Sequence, residues 1–175
     1  QFISSLLSLQ SRHITDENAV AALEASQNRV QSMSLLHHNL YQKDHLASVN
    51  MKVYLEQLIL TNLHAYGLAT PNIEVKQEIA PVFLDIDRAV PIGLIINELV
   101  NNIFKHAFPN QNDGVVYVGF QKEAEKLIVT VKDNGKGVSI PTSSTLSSKS
   151  FGLKLINLLV KKLDNFILLK RYERK

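Results

Sequence analysis

Apolar residues recur every three to four positions through the first third of the chain. One short stripe runs over residues 2–9, and a second, over residues 20–40, follows a polar break at residues 13–16. This period is typical of amphipathic helices, and so short a break predicts that the two helices fold back as an antiparallel hairpin. Thr15 or Asp16 is well placed to cap the second helix.

Beyond this hairpin, a third helix is predicted from about Met51 to Tyr66, with Gly67 in a C-cap position. From Thr70 onward the pattern changes to short strands that alternate with helices. The predicted strands cover residues 73–79, 83–86, 115–121, 127–133 and 166–169. The predicted helices of this part cover residues 88–106, capped by Asp87, and residues 152–163.

Composition narrows the class of protein. The chain has 175 residues, of which 45% are apolar and 20% charged, and it has no cysteine. This composition argues against intrinsic disorder, and it excludes disulfides, a thiolate nucleophile and cysteine-ligated metal sites. No uninterrupted apolar stretch is long enough for a membrane span, and no signal peptide is evident, so we expect a soluble, cytoplasmic protein.

The net charge of +3 is unevenly distributed, because eight basic and only two acidic residues lie from Lys149 onward. A basic end of this kind can attract nucleic acid, anionic lipid or a phosphate ligand, or it can be a solvated helix face. No nucleic-acid motif or interleaved aromatic residue accompanies it, so no nucleic-acid partner is expected.

The predicted helix at residues 88–106 is apolar apart from a polar cluster near its end. Glu98 and Asn102 are four residues apart and share one face with His106, beside Lys105. Such an oxygen pair could hold Mg²⁺ through water and polarise a nucleophile near a phosphate, and a solvated polar stripe is the alternative. Asparagine is a poor helix former, so three of them at positions 97, 101 and 102 require an explanation.

Two further motifs place glycine beside polar residues. Residues 133–137, Asp-Asn-Gly-Lys-Gly, follow a predicted strand and suit either a hairpin turn or a backbone that a ligand approaches closely. In the second interpretation, Asp133 offers a fixed acceptor to the edge of a base. Gly152 stands where a polar stretch meets a helix, which suits either an anion site or an ordinary helix start.

The order of these motifs resembles that of one family. An E-x-x-x-N helix, a strand ending in D-x-G-x-G and a glycine at a helix start resemble the ATP-binding domain that gyrase, MutL and histidine kinases share. Residues 93–102 and 105–109 resemble its N box, residues 133–137 its G1 box and residues 149–153 its G2 box. The segments at 3–12 and 26–33 resemble the second type of dimerisation helices in bacterial two-component sensor histidine kinases.

This resemblance implies an α+β fold, in which an N-terminal antiparallel helical hairpin precedes an α/β sandwich of the Bergerat type, with a mixed sheet and helices on one face. The expected parts are a truncated dimerisation hairpin at residues 1–48, a connecting helix at 49–68 and an ATP-binding catalytic domain at 69–175. Residues 139–150 would form a lid over ATP.

Roles for individual residues follow from the resemblance alone. Glu98 would be catalytic and orient the attacking group, Asn102 would contact ATP and ligate Mg²⁺, and Asp133 would hydrogen-bond the adenine amino group. The other expected ATP contacts are Asn97, Asn101, Lys105, His106, Gly135, Gly137, Lys149, Gly152 and Leu153. Lys149 and Lys154 would help to neutralise the γ-phosphoryl group.

The implied reaction is phosphoryl transfer from ATP–Mg²⁺ to a histidine and then to an aspartate of a response-regulator receiver domain. The implied assembly is a homodimer through the N-terminal helices, with no membrane segment in this part of the protein. In the subfamily, the phosphoacceptor lies in an H-x-V-K-N-N-L box just before the position that Gln1 matches. No phosphoacceptor is therefore expected in this chain, and His13, His37 and His38 are not expected to replace it.

Two other functions stay open at this point. An anti-sigma-type serine kinase would use the same ATP fold, but such kinases lack the N-terminal hairpin. A catalytically incompetent dimerisation or sequestering module would not need the intact Glu98, Asn102 and Asp133.

Overall fold

The computed structural model describes residues 48–67, 72–108, 113–136, 151–163 and 167–170, with scattered positions between 5 and 34. Several sequence-based predictions lie outside the described residues. They are the sites Gly137 and Lys149, the lid at 139–150, the histidines at 13, 37 and 38, and most of the helical hairpin.

Helices and strands alternate along the described chain as the sequence pattern predicts. In chain order they are β1 (Val49–Asn50), α1 (Met51–Gly67), β2 (Asn72–Ile79), β3 (Phe83–Leu84), α2 (Ile86–His106), β4 (Asp113–Glu123), β5 (Lys126–Asp133), α3 (Phe151–Leu163) and β6 (Ile167–Lys170). The described positions between 19 and 34 are helical, and Ala19 N–H donates to Asp16 Oδ1 at 3.2 Å, which confirms Asp16 as a helix cap.

The main sheet is mixed and has the order β2-β4-β5-β6. β2 runs parallel to β4, β4 antiparallel to β5, and β5 parallel to β6. Val118 pairs with Val131 and Phe120 with Val129, so these four side chains, of which Val131 alone is only partly buried, share one face of the sheet. The other face is polar: for example, Tyr117 Oη donates to Glu78 Oε2 at 2.6 Å. The helices therefore cover one face of the sheet, as predicted, and Ile128 is a buried residue on the opposite, mostly polar face.

Helix α2 lies in the middle of the helical layer, where it contacts α1, α3 and β5. Its apolar side chains Ile92, Ile95, Ile96 and Val100 are fully buried. α1 contributes to the same core, because Met51, Leu55 and Ile59 are also fully buried. The sequence-predicted connecting helix thus packs directly on the helix that carries the candidate catalytic residues.

Contact between α1 and α2 depends on one small residue. The ring of Tyr54 on α1 lies against Gly93 on α2, and a Cβ atom added at Gly93 would overlap the Tyr54 hydroxyl. Tyr54 is 1% exposed, and this burial raises the pKa of its phenol well above the ordinary range. Farther along the interface, Asn62 Nδ2 donates to Asn97 Oδ1 at 2.9 Å.

The structure corrects two predicted boundaries. α2 begins at Ile86, and its cap is Asp85 rather than Asp87, because the Asp85 side chain accepts a hydrogen bond from Arg88 N–H at 2.9 Å. The strand predicted at residues 83–86 is shorter for the same reason, and its two remaining residues pair with β1, which the sequence pattern did not indicate.

Within the described ranges, none of the helices combines the length and apolar character needed to cross a bilayer.

The contact between Gly93 and Tyr54 predicts the effect of Gly93→Ala. The added methyl group forces apart two helices that share a close-packed core, so we expect the free energy of unfolding to fall by about 1–3 kcal/mol. Urea unfolding followed by circular dichroism measures this. Gly119→Ala is the control, because its added Cβ meets only the end of the Tyr117 side chain, at 3.0 Å. Equal effects of the two substitutions would refute the proposed tight contact.

Candidate active site

The second half of α2 carries the polar residues that the sequence singled out. Glu98 is 7% exposed. Asn102, one turn later, is half-buried, and Lys105 and His106 are exposed in the last turn. Solvent exposure of the polar side chains therefore increases along this part of the helix, from the buried carboxylate of Glu98 to the exposed Lys105 and His106.

A bidentate ion pair holds the Glu98 carboxylate. Arg29 Nε donates to Glu98 Oε1 at 2.7 Å, and Arg29 Nη2 donates to Oε2 at 3.0 Å. The two side chains are only 15% and 9% exposed. Exposed ion pairs are worth about 0–1 kcal/mol, whereas breaking a buried pair by removing one partner costs about 3–5 kcal/mol. The Arg29–Glu98 contact is part-buried and therefore lies between these two classes, and it joins the N-terminal helical residues to α2.

Asp133 ends β5 on the helix-covered face of the sheet. It pairs with Val116, so its side chain follows those of Val129 and Val131 along the face toward α2. Its Oδ1 accepts a hydrogen bond from Gly135 N–H at 2.9 Å, which fixes the carboxylate in a tight turn. Among the described residues, no hydrogen bond reaches the second oxygen, Oδ2.

The turn after β5 docks onto the end of α2. Lys136 N–H donates to the Ala107 carbonyl oxygen at 2.9 Å. A Cβ atom added at Gly135 would lie 2.5 Å from the same carbonyl oxygen, so no larger residue fits without moving the loop. Asn134 fixes the other side of the turn, since Val115 N–H donates to its Oδ1 at 2.7 Å. The glycine of the predicted G1 box is thus required by packing against the predicted N box helix.

The start of α3 completes the arrangement. Gly152 is buried, whereas its neighbours Phe151 and Leu153 are 69% and 46% exposed. The Arg29 guanidinium carbon lies 4.8 Å from the centroid of the Phe151 ring, a cation–π contact. The Arg29 guanidinium therefore contacts both Glu98 on α2 and Phe151 at the start of α3. These two contacts place the predicted N box and G2 box next to each other.

Two of the sequence-predicted residues face the protein interior. Asn97 is 2% and Asn101 8% exposed, and Asn97 Oδ1 is occupied by Asn62. Asn97 Nδ2 and Asn101 Oδ1 are buried, and neither has a hydrogen-bond partner among the residues that the structure describes. Such burial favours a structural role for Asn97 and Asn101, and their contact with a nucleotide stays a prediction.

The described residues contain no cluster of three or more acidic, histidine or cysteine side chains that could hold a metal by themselves. A metal at this site would need other ligands as well. Magnesium is commonly held by one or two protein oxygens together with substrate phosphates and water, and the half-buried carboxamide of Asn102 suits that donor set.

Sequence reasoning missed Arg29 and Ala107. Arg29 lies 69 positions before Glu98, and nothing in its local pattern signals a buried partner so distant in sequence. Ala107 takes part through its backbone carbonyl, which any residue could supply. A weaker signal existed for Asn134, because an Asn-Gly pair after a strand indicates a turn fixed by the asparagine.

Comparison with known proteins assigns the chain to a family. The profile of the family described as "Histidine kinase-like ATPase domain" matches residues 71–166, more than half of the chain, and that of the family described as "Histidine kinase" matches residues 1–66. The chain belongs to the histidine kinase-like ATPase family. The family match spans α2, the turn after β5 and the whole of α3, so it contains all three parts of the candidate site.

Individual proteins similar to this chain are histidine kinases by name. The sensor histidine kinase PdtaS of Mycolicibacterium smegmatis is 32% identical over 164 residues, which are 91% of this chain and 32% of that protein. The histidine kinase domain of the blue-light-activated histidine kinase EL346 from Erythrobacter litoralis superimposes with a TM-score of 0.69 at 21% identity, over 90% of this chain and 83% of that one. A second structure of EL346 gives a TM-score of 0.68 at 26% identity, over 82% of this chain and 48% of that one. The chain spans about a third of the length of the PdtaS relative.

The packing of Gly135 predicts that Gly135→Ala displaces the turn from α2. We expect the free energy of unfolding to fall by about 1–3 kcal/mol, because the clash is with backbone rather than with a flexible side chain. Chemical unfolding without nucleotide measures this. The double variant Gly135→Ala with Ala107→Gly should not recover stability, since the obstructing carbonyl oxygen remains. Full recovery would show that only the Ala107 methyl group matters.

Proposed function

We propose that this chain is the ATP-binding catalytic core of a protein histidine kinase. The observation that carries the proposal is the convergence of three separate motifs on one site. Hydrogen bonding between Lys136 and Ala107 joins the turn after β5 to α2, and Arg29 joins Glu98 of α2 to Phe151 of α3. A glycine-bearing turn, a polar helix face and a helix N-terminus together suit a nucleotide with its phosphates.

Asp133 is the proposed adenine-binding residue. Its Oδ1 is occupied by Gly135 N–H, so Oδ2 is the oxygen that would accept the exocyclic amino hydrogen of adenine. The turn holds the carboxylate in place before the base arrives, which lowers the entropy cost of binding. Gly135, Gly137, Gly152 and Leu153 are proposed to line the rest of the nucleotide.

The phosphates are proposed to extend along α2 toward α3. Asn102 would hold Mg²⁺, which when bound neutralises phosphate charge and orients the γ-phosphoryl group. Lys105 and His106 are exposed in the last turn of α2 and would contact phosphate oxygens, with Lys149 and Lys154 adding positive charge. Asn97 and Asn101 would support this face from within the core.

The proposed reaction transfers the γ-phosphoryl group to a histidine. The imidazole nitrogen attacks the γ-phosphorus, the bond from that phosphorus to the β–γ bridging oxygen breaks, and ADP leaves with the electron pair. Glu98 would hydrogen-bond the other N–H of the imidazole and stabilise the positive charge that develops on the ring. The phosphoryl group would then pass to a receiver-domain aspartate, with return of the histidine to its neutral form.

Partners and location are part of the same proposal. A receiver domain of a response regulator would be the downstream partner, and the N-terminal helices would form a homodimer. A location in the cytoplasm follows from the proposed use of ATP. A serine kinase of the anti-sigma type on the same fold is the second candidate, because the ATP site by itself does not determine the acceptor.

Replacement of Asp133 by asparagine tests adenine recognition apart from loop structure. The asparagine Oδ1 can still accept from Gly135 N–H, which leaves Nδ2 as a donor facing the adenine amino group. We expect ADP–Mg²⁺ affinity to fall about tenfold or more in isothermal titration, since an unpaired buried polar contact costs about 1–3 kcal/mol. Asp113→Asn, at the exposed start of β4, should bind like the wild type. Equal affinities for all three proteins would contradict the proposed role.

The acceptor is tested with γ-labelled ATP. The chain is extended at its N-terminus through an H-x-V-K-N-N-L box, so that a candidate acceptor is present. We expect label that is lost in acid and retained in base, as for a phosphohistidine, and loss of labelling in Glu98→Gln. Acid-stable label would favour the serine kinase, and absence of label together with normal ADP binding would favour a module without catalysis.

A further inference from the structure

Arg29 occupies both oxygens of the carboxylate to which the proposed mechanism assigns a role in catalysis. A guanidinium fork matches a carboxylate with two parallel N–H···O bonds, and the observed distances of 2.7 and 3.0 Å are those of such a fork. While this pair persists, the acceptor directions of Glu98 that point to the guanidinium are unavailable to an incoming imidazole.

The same guanidinium also restrains the start of α3. It lies over the ring of Phe151, which is otherwise 69% exposed, and Phe151 directly precedes the buried Gly152. Phe151 is the first helical residue after the segment that the sequence predicts to be the lid. Any movement of this end of α3 toward a bound nucleotide would therefore have to change the contact with Arg29.

We propose that Arg29 is a regulatory latch, which docks the N-terminal helical residues onto the ATP site and keeps Glu98 from its catalytic partner until the latch opens. This inference rests on the proposed role of Glu98. In the docked state the carboxylate is paired and catalysis is suppressed, and in the open state the carboxylate is released. The helical segment that bears Arg29 can thereby control the rate of reaction through its position alone.

The low exposure of the pair explains why a single residue can act in this way. A buried carboxylate loses much of its hydration, so it remains docked only while a partner of opposite charge compensates for that loss. Removal of the guanidinium leaves Glu98 without this compensation, and the helical segment without its bidentate hold on α2.

The test uses this chain, extended at its N-terminus through an H-x-V-K-N-N-L box so that a histidine acceptor is present, and four variants of it: Arg29→Ala, Arg29→Lys, Glu98→Gln and, as the matched control, Arg88→Ala. Arg88 is also an arginine in an ion pair at α2, but its partner Asp85 is exposed and distant in sequence from Glu98. Because the chain has no cysteine, Glu24→Cys and Leu158→Cys, both at exposed positions, can carry a pair of spin labels. The distance between the spin labels reports docking, acid-labile incorporation of phosphate from γ-labelled ATP–Mg²⁺ reports catalysis, and ADP titration reports nucleotide binding.

We expect Arg29→Ala to lengthen and broaden the distance between the spin labels and to incorporate acid-labile phosphate about fivefold or more faster than the wild type, a change typical of allosteric coupling. Arg29→Lys should give a smaller change of the same sign, because one ammonium group cannot form the fork. Glu98→Gln should open the latch without a gain in rate, and Arg88→Ala should change neither quantity.

Two kinds of result would overturn the latch. An unchanged label distance in Arg29→Ala would show that the ion pair does not hold the helical segment. A rate of phosphate incorporation that stays the same or falls, including no incorporation, would show that Arg29 does not restrain catalysis. If ADP binds normally in these cases, the proposed function stands and the latch alone fails. Failure of ADP to bind any of the variants or the wild type would refute the proposed function itself, whatever the label distance shows.

Discussion

The position of α2 in the middle of the helical layer constrains the rest of the structure. The helix packs against α1, α3 and β5, so few of its side chains can reach solvent. A polar side chain at such a position is stable only if its hydrogen-bonding groups or its charge are compensated. Asn62 from α1 supplies a partner for Asn97, and Arg29 from the N-terminal helical residues supplies one for Glu98. The candidate site is therefore coupled to α1 and to the N-terminal helical residues, which supply the hydrogen-bond and ion-pair partners of the polar side chains on α2.

The position of α2 also determines where the turn after β5 lies, on the second side of the site. α2 ends where its last carbonyl groups need partners, and Lys136 of the turn after β5 donates to one of them at Ala107. The turn can approach so closely because residue 135 is glycine. Asp133 is then fixed at the end of β5, on the side of the helices. A single set of backbone contacts thus places the proposed adenine acceptor relative to the proposed phosphate-binding helix.

Sequence alone predicted most of the fold, because the strands and helices have strong periodicity and one face of the sheet is buried. It placed α2, β4, β5 and α3 within a few residues, and it identified the three motifs that meet at the site. The N-cap of α2 was predicted wrongly, because Asp85 and Asp87 are both suitable cap residues. Only the observed hydrogen bond from Arg88 N–H to the Asp85 side chain distinguishes them. It could not find Arg29, since pairing across 69 positions depends on tertiary packing that no local pattern encodes.

The central claim is that α2, the turn after β5 and the start of α3 form one nucleotide site. Hydrogen–deuterium exchange with and without ADP–Mg²⁺ tests it most directly, because each segment is read separately in one experiment. The account predicts slower exchange in all three segments on addition of nucleotide: residues 98–107, residues 133–136 and the first turn of α3. Slower exchange in only one segment, or in none of them, would contradict the account.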